Sequence, residues 1–459
     1  MPEQYMGGTT SLCPTCGRLL PAQVLVRDNA IYLRRTCPEH GTFCPRVYSD
    51  AAAYQDLAQF HRIAVQPLSF NTEYSGACPD SCGLCPNHEQ HVCLPIIEIT
   101  DHCDMACPVC LVKTSGSFHL TPTQVSAIVG RLVESEGQLD VLNLSGGEPT
   151  LNPQFREIID LCLAYKQIQY VSVSTNGRRL LRDPSLLRFL AERRVVISLQ
   201  FDSVQGEGAQ QMRGMDLGSD KLRLIGQVGD LDGRMSLTVT AARGINDRGL
   251  AEPLRLLFAN DHILSVMYQP MAYVGRGASV ARPDDALTIP DVIQLLDGAC
   301  DGQVSAGDFA PLPCSHPACF SQAFYLRAGP GEYIPLRRLL SNDRYLQLVE
   351  NRSLPGSDAG ALDIIKDAIY ELWAGPDGLD AGSRKALLAV RRILDSMTHC
   401  GPGCGCGGVT AEQSIKSVFI HHFMDRHTFD LSRARKCCQV YPQPDGKLMP
   451  ACVYNCLRR

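Results

Sequence analysis

The segment Leu94-Pro-Ile-Ile-Glu-Ile-Thr100, followed closely by Cys103-Asp-Met-Ala-Cys107-Pro-Val-Cys110, decides how this sequence folds. Its first part is an apolar, strand-like run, and its second part places three cysteines in the loop that leaves the strand. Iron–sulfur cubes are normally held by four cysteine thiolates. A loop with three cysteines therefore predicts a [4Fe-4S] cluster with one iron that the protein does not ligate and that can bind an outside molecule.

A second motif lies downstream, where the apolar strand Val141-Leu-Asn-Leu144 runs into Ser145-Gly146-Gly147-Glu148-Pro149. Glycines allow the backbone to approach a ligand closely, and a carboxylate suits an ammonium group. Gly-Gly before Glu-Pro is also typical of a plain strand-to-helix turn. The ligand-binding interpretation of Gly146 and Gly147 is favoured because these glycines follow the three-cysteine loop in the chain.

The cysteine spacing of three and then two residues, together with Gly-Gly-Glu, resembles the radical S-adenosylmethionine (SAM) superfamily. The resemblance implies that the amino and carboxylate groups of SAM fill the open iron position. It also implies that Gly146, Gly147 and Glu148 hold the SAM amino group. The resemblance further implies that an electron donor such as ferredoxin or flavodoxin reduces the cluster. The cluster then passes one electron to SAM, which is cleaved and gives a 5′-deoxyadenosyl radical.

Composition narrows the class of protein. The chain has 459 residues, 45% of them hydrophobic, which is enough for two to four domains with real cores. A net charge of -5 argues against a nucleic-acid partner. No apolar run reaches the roughly 18 residues of a membrane span, and the N-terminus lacks a signal-peptide pattern, so we expect a cytoplasmic protein. The 22 cysteines fall in groups, which favours metal ligands over disulfides.

From Leu94 to about Cys300, strand-like runs alternate with helical patterns, which predicts a parallel sheet. Six strands suit the partial, TIM-like (β/α)6 barrel of radical SAM enzymes, with cysteine-rich extensions at both ends. We therefore predict four regions: an N-terminal hairpin and connector (1–75), an auxiliary cluster segment (76–94), the barrel (95–300) and a C-terminal auxiliary cluster domain (301–459). Polar strand ends suggest SAM ribose and carboxylate contacts at Ser174, Asn176 and Gln200, although a turn cap explains each nearly as well.

The N-terminal cysteines predict a mononuclear zinc or iron site. Cys13-Pro-Thr-Cys16 and Cys37-Pro-Glu-His40 flank a hairpin that turns at Asp28-Asn29, and two such knuckles bring four ligands to one ion. We favour Cys13, Cys16, Cys37 and His40 as ligands. Cys44 is the rival fourth ligand.

Two further cysteine sets predict one or two auxiliary clusters. The first set is compact, with a zinc site as the alternative, and comprises Cys78, Cys82, Cys85 and Cys93. The second depends on tertiary folding, with Cys437 as a substitute for Cys438, and comprises Cys314, Cys319, Cys438 and Cys452. We predict that Cys162 is a buried core thiol. The glycine-rich segment 399–408 is predicted to be a loop without metal, and residues 359–397 are predicted to form two amphipathic helices.

The whole set of cysteine motifs, with the ending Phe423-Met424-Asp425 and Pro-Ala-Cys-Val-Tyr-Asn455, resembles the tetraether lipid synthase family of radical SAM proteins. That resemblance implies hydrogen abstraction from an unactivated carbon and carbon–carbon coupling of lipid chains, and it leaves room for contact with a membrane surface. The alternative is radical methylation of a pterin or another small molecule. The rival of another class is a non-catalytic iron–sulfur electron carrier, against which the Gly-Gly-Glu motif argues.

Overall fold

The computed structural model describes residues 3–74, 76, 78–79, 82–112, 114–203, 206–352 and 414–459, together with residues 364, 367, 384, 385 and 388. The glycine-rich cysteine loop at 399–408 lies outside the described residues. So do nearly all of residues 359–397, which the sequence predicts as amphipathic helices. In the part of the chain that the structure describes, no helix has the length and apolar character of a membrane span.

The N-terminal region forms its own five-stranded antiparallel sheet. Its strands are β1 (Gln4–Leu12), β2 (Leu19–Arg27), β3 (Ala30–Cys37), β4 (Gly41–Phe43) and β5 (Arg46–Tyr48). The hairpin of β2 and β3 turns where predicted, because Asp28 and Asn29 both adopt left-handed backbone angles, with φ of 49° and 55°. Asn and Asp tolerate this conformation in tight hairpin turns.

The barrel strands follow in chain order, and each pairs in parallel with the next. They are β6 (Leu94–Thr100), β7 (Leu139–Gly146), β8 (Ile168–Thr175), β9 (Val196–Gln200), β10 (Arg234–Ala241) and β11 (Ile263–Pro270). These six parallel strands confirm the predicted partial TIM-like barrel.

The described residues form thirteen α-helices. They are α1 (Ala51–Asp56), α2 (Pro122–Glu136), α3 (Phe155–Ala164), α4 (Arg178–Arg182), α5 (Pro184–Glu192), α6 (Gly206–Arg213), α7 (Gly218–Asp230), α8 (Ala251–Ala259), α9 (Ile289–Leu296), α10 (Ala299–Gly302), α11 (Asn342–Val349), α12 (Leu431–Arg435) and α13 (Ala451–Leu457). Helix α2 begins at Pro122, where Thr121 before it and Gln124 after it form a reciprocal capping box.

The C-terminal region extends the barrel sheet at both of its edges. Its strands are β12 (Ala310–Pro311), β13 (Phe320–Gly329), β14 (Glu332–Pro335), β15 (Ile415–His421), β16 (Gln439–Pro442) and β17 (Leu448–Pro450). Strand β15 pairs in parallel with β11 and antiparallel with β13, while β16 pairs in parallel with β6. The described strands of the region predicted as a separate domain (301–459) thus complete one 12-stranded sheet, because the edge strands β6 and β11 need hydrogen-bond partners.

The barrel is hollow. Its outward-facing residues, such as Ile97, Leu142 and Val173, are buried against helices in the main core. Its inward-facing residues include many serines and threonines, whereas a TIM barrel is normally filled by bulky branched side chains. The small inward side chains leave a cavity of about 430 Å³.

Candidate radical SAM site and metal centres

The three-cysteine loop lies at the carboxyl end of β6, where TIM-like barrels carry their active sites. Two of its sulfurs accept hydrogen bonds from backbone N–H groups. Met105 N donates to Cys103 Sγ at 3.4 Å, and Val112 N donates to Cys110 Sγ at 3.4 Å. Burial raises the pKa of Cys103 to about 11. Three thiols, two of them with N–H donors and all at least partly buried, suit a cluster that needs thiolate ligands.

Asp101 ties the two ends of this loop together. Its carboxylate accepts hydrogen bonds from Ser117 N at 2.9 Å and Phe118 N at 2.8 Å, and from the Ser115 hydroxyl. Burial would raise the pKa of Asp101, but these hydrogen bonds lower it well below its usual value. The residues before and after the cysteines are therefore held side by side.

Gly146 and Gly147 bring the end of β7 against the start of the cysteine loop. Gly147 N donates to Thr100 O at 2.8 Å, and a Cβ on either glycine would collide with the backbone of Thr100 or His102. The glycines are thus required for a close approach between two protein segments. This approach places the Gly-Gly-Glu segment next to the loop, as the prediction requires.

Both carboxylate oxygens of Glu148 accept hydrogen bonds from the protein. One accepts from the hydroxyls of Thr150 at 2.7 Å and Thr175 at 2.8 Å, and the other accepts from Asn176 N at 2.8 Å. Burial raises the pKa of Glu148 in spite of these hydrogen bonds. The side chain predicted to hold an ammonium thus also joins β7 to the end of β8, and its Oε2, which accepts one hydrogen bond here, has capacity for a second.

The other predicted SAM contacts divide into two kinds. Asn176 Nδ2 donates to Asp104 Oδ1 at 2.8 Å, so this side chain binds the cysteine loop itself. Ser174 and Gln200 line the barrel cavity, together with Cys110. Ser174 and Gln200 therefore remain in contact with the space open to a ligand.

The sequence interpretation missed Arg213, which lines the same cavity from α6. Its Nε donates to Asp202 Oδ2 at 2.6 Å, and its Nη2 donates to Thr240 Oγ1 at 2.9 Å. Burial would lower the pKa of Arg213, but Asp202 and the thiols of Cys107 and Cys110 raise it. A permanent cation beside the cysteine loop can stabilise the negative cluster or meet a carboxylate. No local motif marks it, because helix α6 reaches the loop only through the tertiary fold.

The predicted N-terminal ligands converge. The ligand atoms of Cys13, Cys16, Cys37 and His40 all lie within 4.8 Å of one another. His40 Nδ1 is 3.4 Å from Cys37 Sγ and 3.7 Å from Cys13 Sγ. Such an N/S set suits tetrahedral zinc or a mononuclear iron. Cys44 is partly buried, and it is outside this group.

The structure groups the auxiliary thiols differently from the sequence. The Cys93 thiol interacts with Cys314 and Cys438, and these two neighbours together with burial raise its pKa well above the usual value. The cause is strand pairing: Cys93 N donates to Cys438 O at 2.8 Å at the point where β16 joins β6. Cys93 therefore joins residues of the predicted second set. We call Cys93, Cys314 and Cys438 the seam thiols, because they lie between the two edges of the barrel sheet.

A second group forms around the other end of the same segments. The Cys82 thiol interacts first with Cys78 and also with Cys85 and Cys437, and these interactions raise its pKa. Cys437 in turn interacts with Cys452, so Cys437, and not its neighbour Cys438, contacts Cys452. Adjacent residues Cys437 and Cys438 face different thiol groups.

Several other polar groups and thiols surround these two groups. Arg433 Nε donates to Cys319 Sγ at 3.3 Å, and Cys319 interacts with both Cys437 and Cys438. Near the seam thiols, Gln90 Nε2 donates to Cys314 Sγ at 3.2 Å and to Cys93 Sγ at 3.4 Å. Such N–H donors to sulfur are typical second partners of cluster ligands. Cys162 is fully buried in the main core, as predicted.

We predict that the Arg213→Met variant lowers the free energy of unfolding by about 3–5 kcal/mol, because Asp202 is left as a buried, unpaired charge. The Arg213→Met/Asp202→Asn double variant should recover part of this loss. Arg213→Met should make the potential of the cluster in the three-cysteine loop more negative, since a nearby cation is gone, while the double variant, which also removes the Asp202 carboxylate, should shift it less. Denaturant titration and redox-monitored electron paramagnetic resonance (EPR) test this. An unchanged potential would remove Arg213 from the site.

The N-terminal ligands can be tested by metal analysis. We predict that His40→Ala lowers the non-cluster metal content by about one ion per chain, while the matched Cys44→Ala variant keeps it. The measurement is elemental analysis together with the thermal midpoint of unfolding. Loss of metal in Cys44→Ala with retention in His40→Ala would instead give a four-cysteine site.

Comparison with known proteins agrees with this geometry. The family model "HMPTM N-terminal zinc ribbon domain" matches residues 5–49, and the Radical SAM superfamily model matches residues 97–257. A 7,8-dihydro-6-hydroxymethylpterin dimethyltransferase from Methanocaldococcus jannaschii is 26% identical over 479 residues, covering 98% of this chain and 94% of that protein.

Other relatives cover less of the chain. A GTP 3′,8-cyclase from Photorhabdus laumondii is 31% identical over 131 residues, which cover 26% of this chain and 40% of that protein. Among solved structures, SuiB from Streptococcus suis with its precursor peptide SuiA shares 14% identity and covers 46% of this chain and 45% of that one, with a TM-score of 0.39. Together with the cysteine loop on β6 and the Gly-Gly-Glu segment on β7, the family match shows that this chain is a radical SAM enzyme, a member of the superfamily that uses a [4Fe-4S] cluster and SAM.

Proposed function

We propose that this enzyme methylates a heterocycle of the pterin class by radical chemistry. The observation that carries the proposal is the mixed lining of the barrel cavity, in which a wall of hydroxyl groups and an apolar wall border the same space. A flat heterocycle has polar edges and apolar faces, and it can satisfy both walls at once. The M. jannaschii relative, which aligns along almost the whole chain, is named for dimethylation of a pterin.

The polar wall is a band of serines in register across five neighbouring strands. Ser174 pairs with Ser198, Ser198 with Ser236, Ser236 with Ser265, and Ser265 with Ser417. All five line the cavity, and the hydroxyls of Ser236 and Ser265 are 2.8 Å apart. Hydroxyls can donate or accept, so the band suits a ligand with several heteroatoms.

The apolar wall lies at the seam, across the barrel from β9 and β10. Strands β13 and β16 are near opposite ends of the strand order, yet residues of both line the same cavity. This wall comprises Leu94, Ile96, Leu312, Phe320, Phe419 and Phe423. Aromatic side chains pack well on a flat ring. Ser174, Ser198 and the Ser236–Ser265 pair already have side-chain partners within the protein. A hydrocarbon chain could use none of the remaining hydrogen-bonding capacity of these hydroxyls, whereas a heterocycle could.

The residues around the cavity have separable tasks. When bound, the cluster and SAM supply a 5′-deoxyadenosyl radical that can abstract hydrogen from an unactivated carbon. Cys110, Leu111 and Val112 form part of the cavity wall, so the loop that holds the cluster borders the space assigned to the substrate. Arg213 supplies a cation at that border, and the apolar wall excludes water from the reacting atoms.

Coupling of lipid chains is the second candidate function. The observation in its favour is the length of the cavity, which is lined at the amino ends of strands by Tyr170 and Leu264 and at the carboxyl ends by Gln200 and Gln269. A cavity that runs along the whole barrel can accept an extended chain. The resemblance to the tetraether lipid synthase family stays a prediction on this point.

The thiol groups support two auxiliary metal centres. The proposed ligands of the first are the seam thiols, of which Cys93 and Cys438 also line the cavity. Those of the second are Cys78, Cys82, Cys437 and Cys452, next to Cys85. The first centre would join the two barrel edges, and a metal there would stabilise the apolar wall.

The proposed reaction is tested with the reconstituted, reduced enzyme, SAM labelled with deuterium in its methyl group, and 7,8-dihydro-6-hydroxymethylpterin. We expect 5′-deoxyadenosine and a pterin product that carries the label, read by mass spectrometry. The Cys107→Ala variant should give neither, because the cluster loses a ligand. Unlabelled, coupled lipid products in a parallel reaction with archaeal-type lipids would favour the second candidate. No SAM cleavage under any reductant would refute radical chemistry.

The two auxiliary centres can be told apart by combining cysteine variants. We predict that Cys93→Ala and Cys93→Ala/Cys314→Ala lose the same cluster, whereas Cys93→Ala/Cys82→Ala loses a second one as well. The measurement is iron and sulfide per chain with EPR of the reduced protein. If Cys93→Ala/Cys82→Ala loses no more iron than Cys93→Ala, the compact set predicted from the sequence is correct.

A further inference from the structure

His421, the last residue of β15, is a buried side chain with an unused hydrogen-bonding atom. It lines the barrel cavity and is 6% exposed. Within the described residues, its Nδ1 has no hydrogen-bond partner. A buried polar atom without a partner costs about 1–3 kcal/mol, so it points to a ligand that completes the site.

The imidazole of His421 has a defined orientation. Its ring centroid lies 4.1 Å from that of Phe423 in an edge-on arrangement and 5.5 Å from that of Phe320. Both phenylalanines belong to the apolar wall. Burial, with a smaller effect of Arg433, lowers the pKa of His421 to about 3, so the ring is neutral and offers one donor and one acceptor. His421 is thus a directional polar group within an otherwise apolar wall.

A second polar side chain lies beside it. Strands β11 and β15 pair in parallel with Tyr268 opposite Ile420, so the next residues, Gln269 and His421, are neighbours at the carboxyl end of the barrel. Both line the cavity. An amide next to an imidazole suits the alternating donors and acceptors along the edge of a heterocycle.

The adjacent residue His422 provides an internal contrast. It is equally buried at 6%, its Nδ1 also lacks a partner in the described part of the chain, and burial lowers its pKa to about 3 as well. His422 is outside the set of residues that line the cavity. The two histidines therefore differ mainly in whether they face the substrate space.

We propose that His421 is a substrate-recognition residue, whose neutral imidazole forms a hydrogen bond with a ring nitrogen or carbonyl of the heterocycle held in the cavity. This inference rests on the proposed function. It assigns the apolar wall a specific polar contact, which would select a heterocycle against a hydrocarbon chain of similar width.

The test uses holoenzyme with SAM and measures binding of 7,8-dihydro-6-hydroxymethylpterin by anaerobic equilibrium dialysis. We expect His421→Phe to weaken pterin binding about tenfold to a hundredfold, because a buried heteroatom of the ligand loses its partner. His421→Gln, which keeps a polar group, should recover part of this loss. The matched control, His422→Phe, should bind pterin within about twofold of the wild type.

The outcomes separate the two proposals. Absence of pterin binding to the wild type overturns the proposed function and the role of His421 with it. Wild-type binding with unchanged affinity in His421→Phe, or an equal loss in His422→Phe, overturns the role of His421 alone. If His421→Phe does not retain its clusters, the test is made on the wild type by chemical modification with diethyl pyrocarbonate. Pterin should then protect His421, and not His422, from modification. Equal modification of His421 with and without pterin overturns the inference.

Discussion

The pairing of the two edges of the barrel sheet with C-terminal strands is the constraint on which the rest of the structure depends. At one edge, Cys93 N and Leu94 N both donate to Cys438 O, which begins the pairing of β16 with β6. At the other edge, β15 adds a further parallel strand to β11. Unpaired backbone groups at a sheet edge are costly when they are shielded from water. Satisfying them here also brings the seam thiols together and places Phe419 and His421 on the cavity wall.

The hollow interior follows from the inward-facing residues. A barrel of this size is stable when branched side chains fill it, because interiors are close-packed. In this protein, the serine band on β8 to β11 and β15 replaces those side chains with small polar ones. The outer faces of the same strands compensate, since residues such as Leu144, Ile197 and Leu237 are completely buried against the helices. Side chains are thus close-packed on the outer face of the barrel but not in its interior. The interior therefore has space for a substrate next to the cysteine loop.

Charge placement fits radical chemistry in this cavity. A cluster with three thiolates is anionic, and Arg213, paired with Asp202, supplies a fixed cation at its edge. Arg276, whose Nε lacks a partner among the described residues, lies on a loop whose backbone donates to Cys110 O. Two guanidinium groups near the same loop suit both the cluster and the carboxylate of SAM. The comparisons place the chain in the superfamily, and the proposal that its substrate is a heterocycle rests on the lining of the cavity.

Features that depend on short spacing could be predicted from the amino-acid sequence alone. The loop from Cys103 to Cys110, the hairpin that brings Cys13 and His40 together and the alternation of strands and helices are local, so spacing and periodicity predict them. Three other features become visible only in the folded chain. They are the grouping of Cys93 with Cys314 and Cys438, the separate environments of Cys437 and Cys438, and the place of Arg213 and His421 in the cavity. The reason is physical: these contacts join residues far apart in the chain. Which strand pairs with each open edge depends on the burial and hydrogen bonding of the whole sheet.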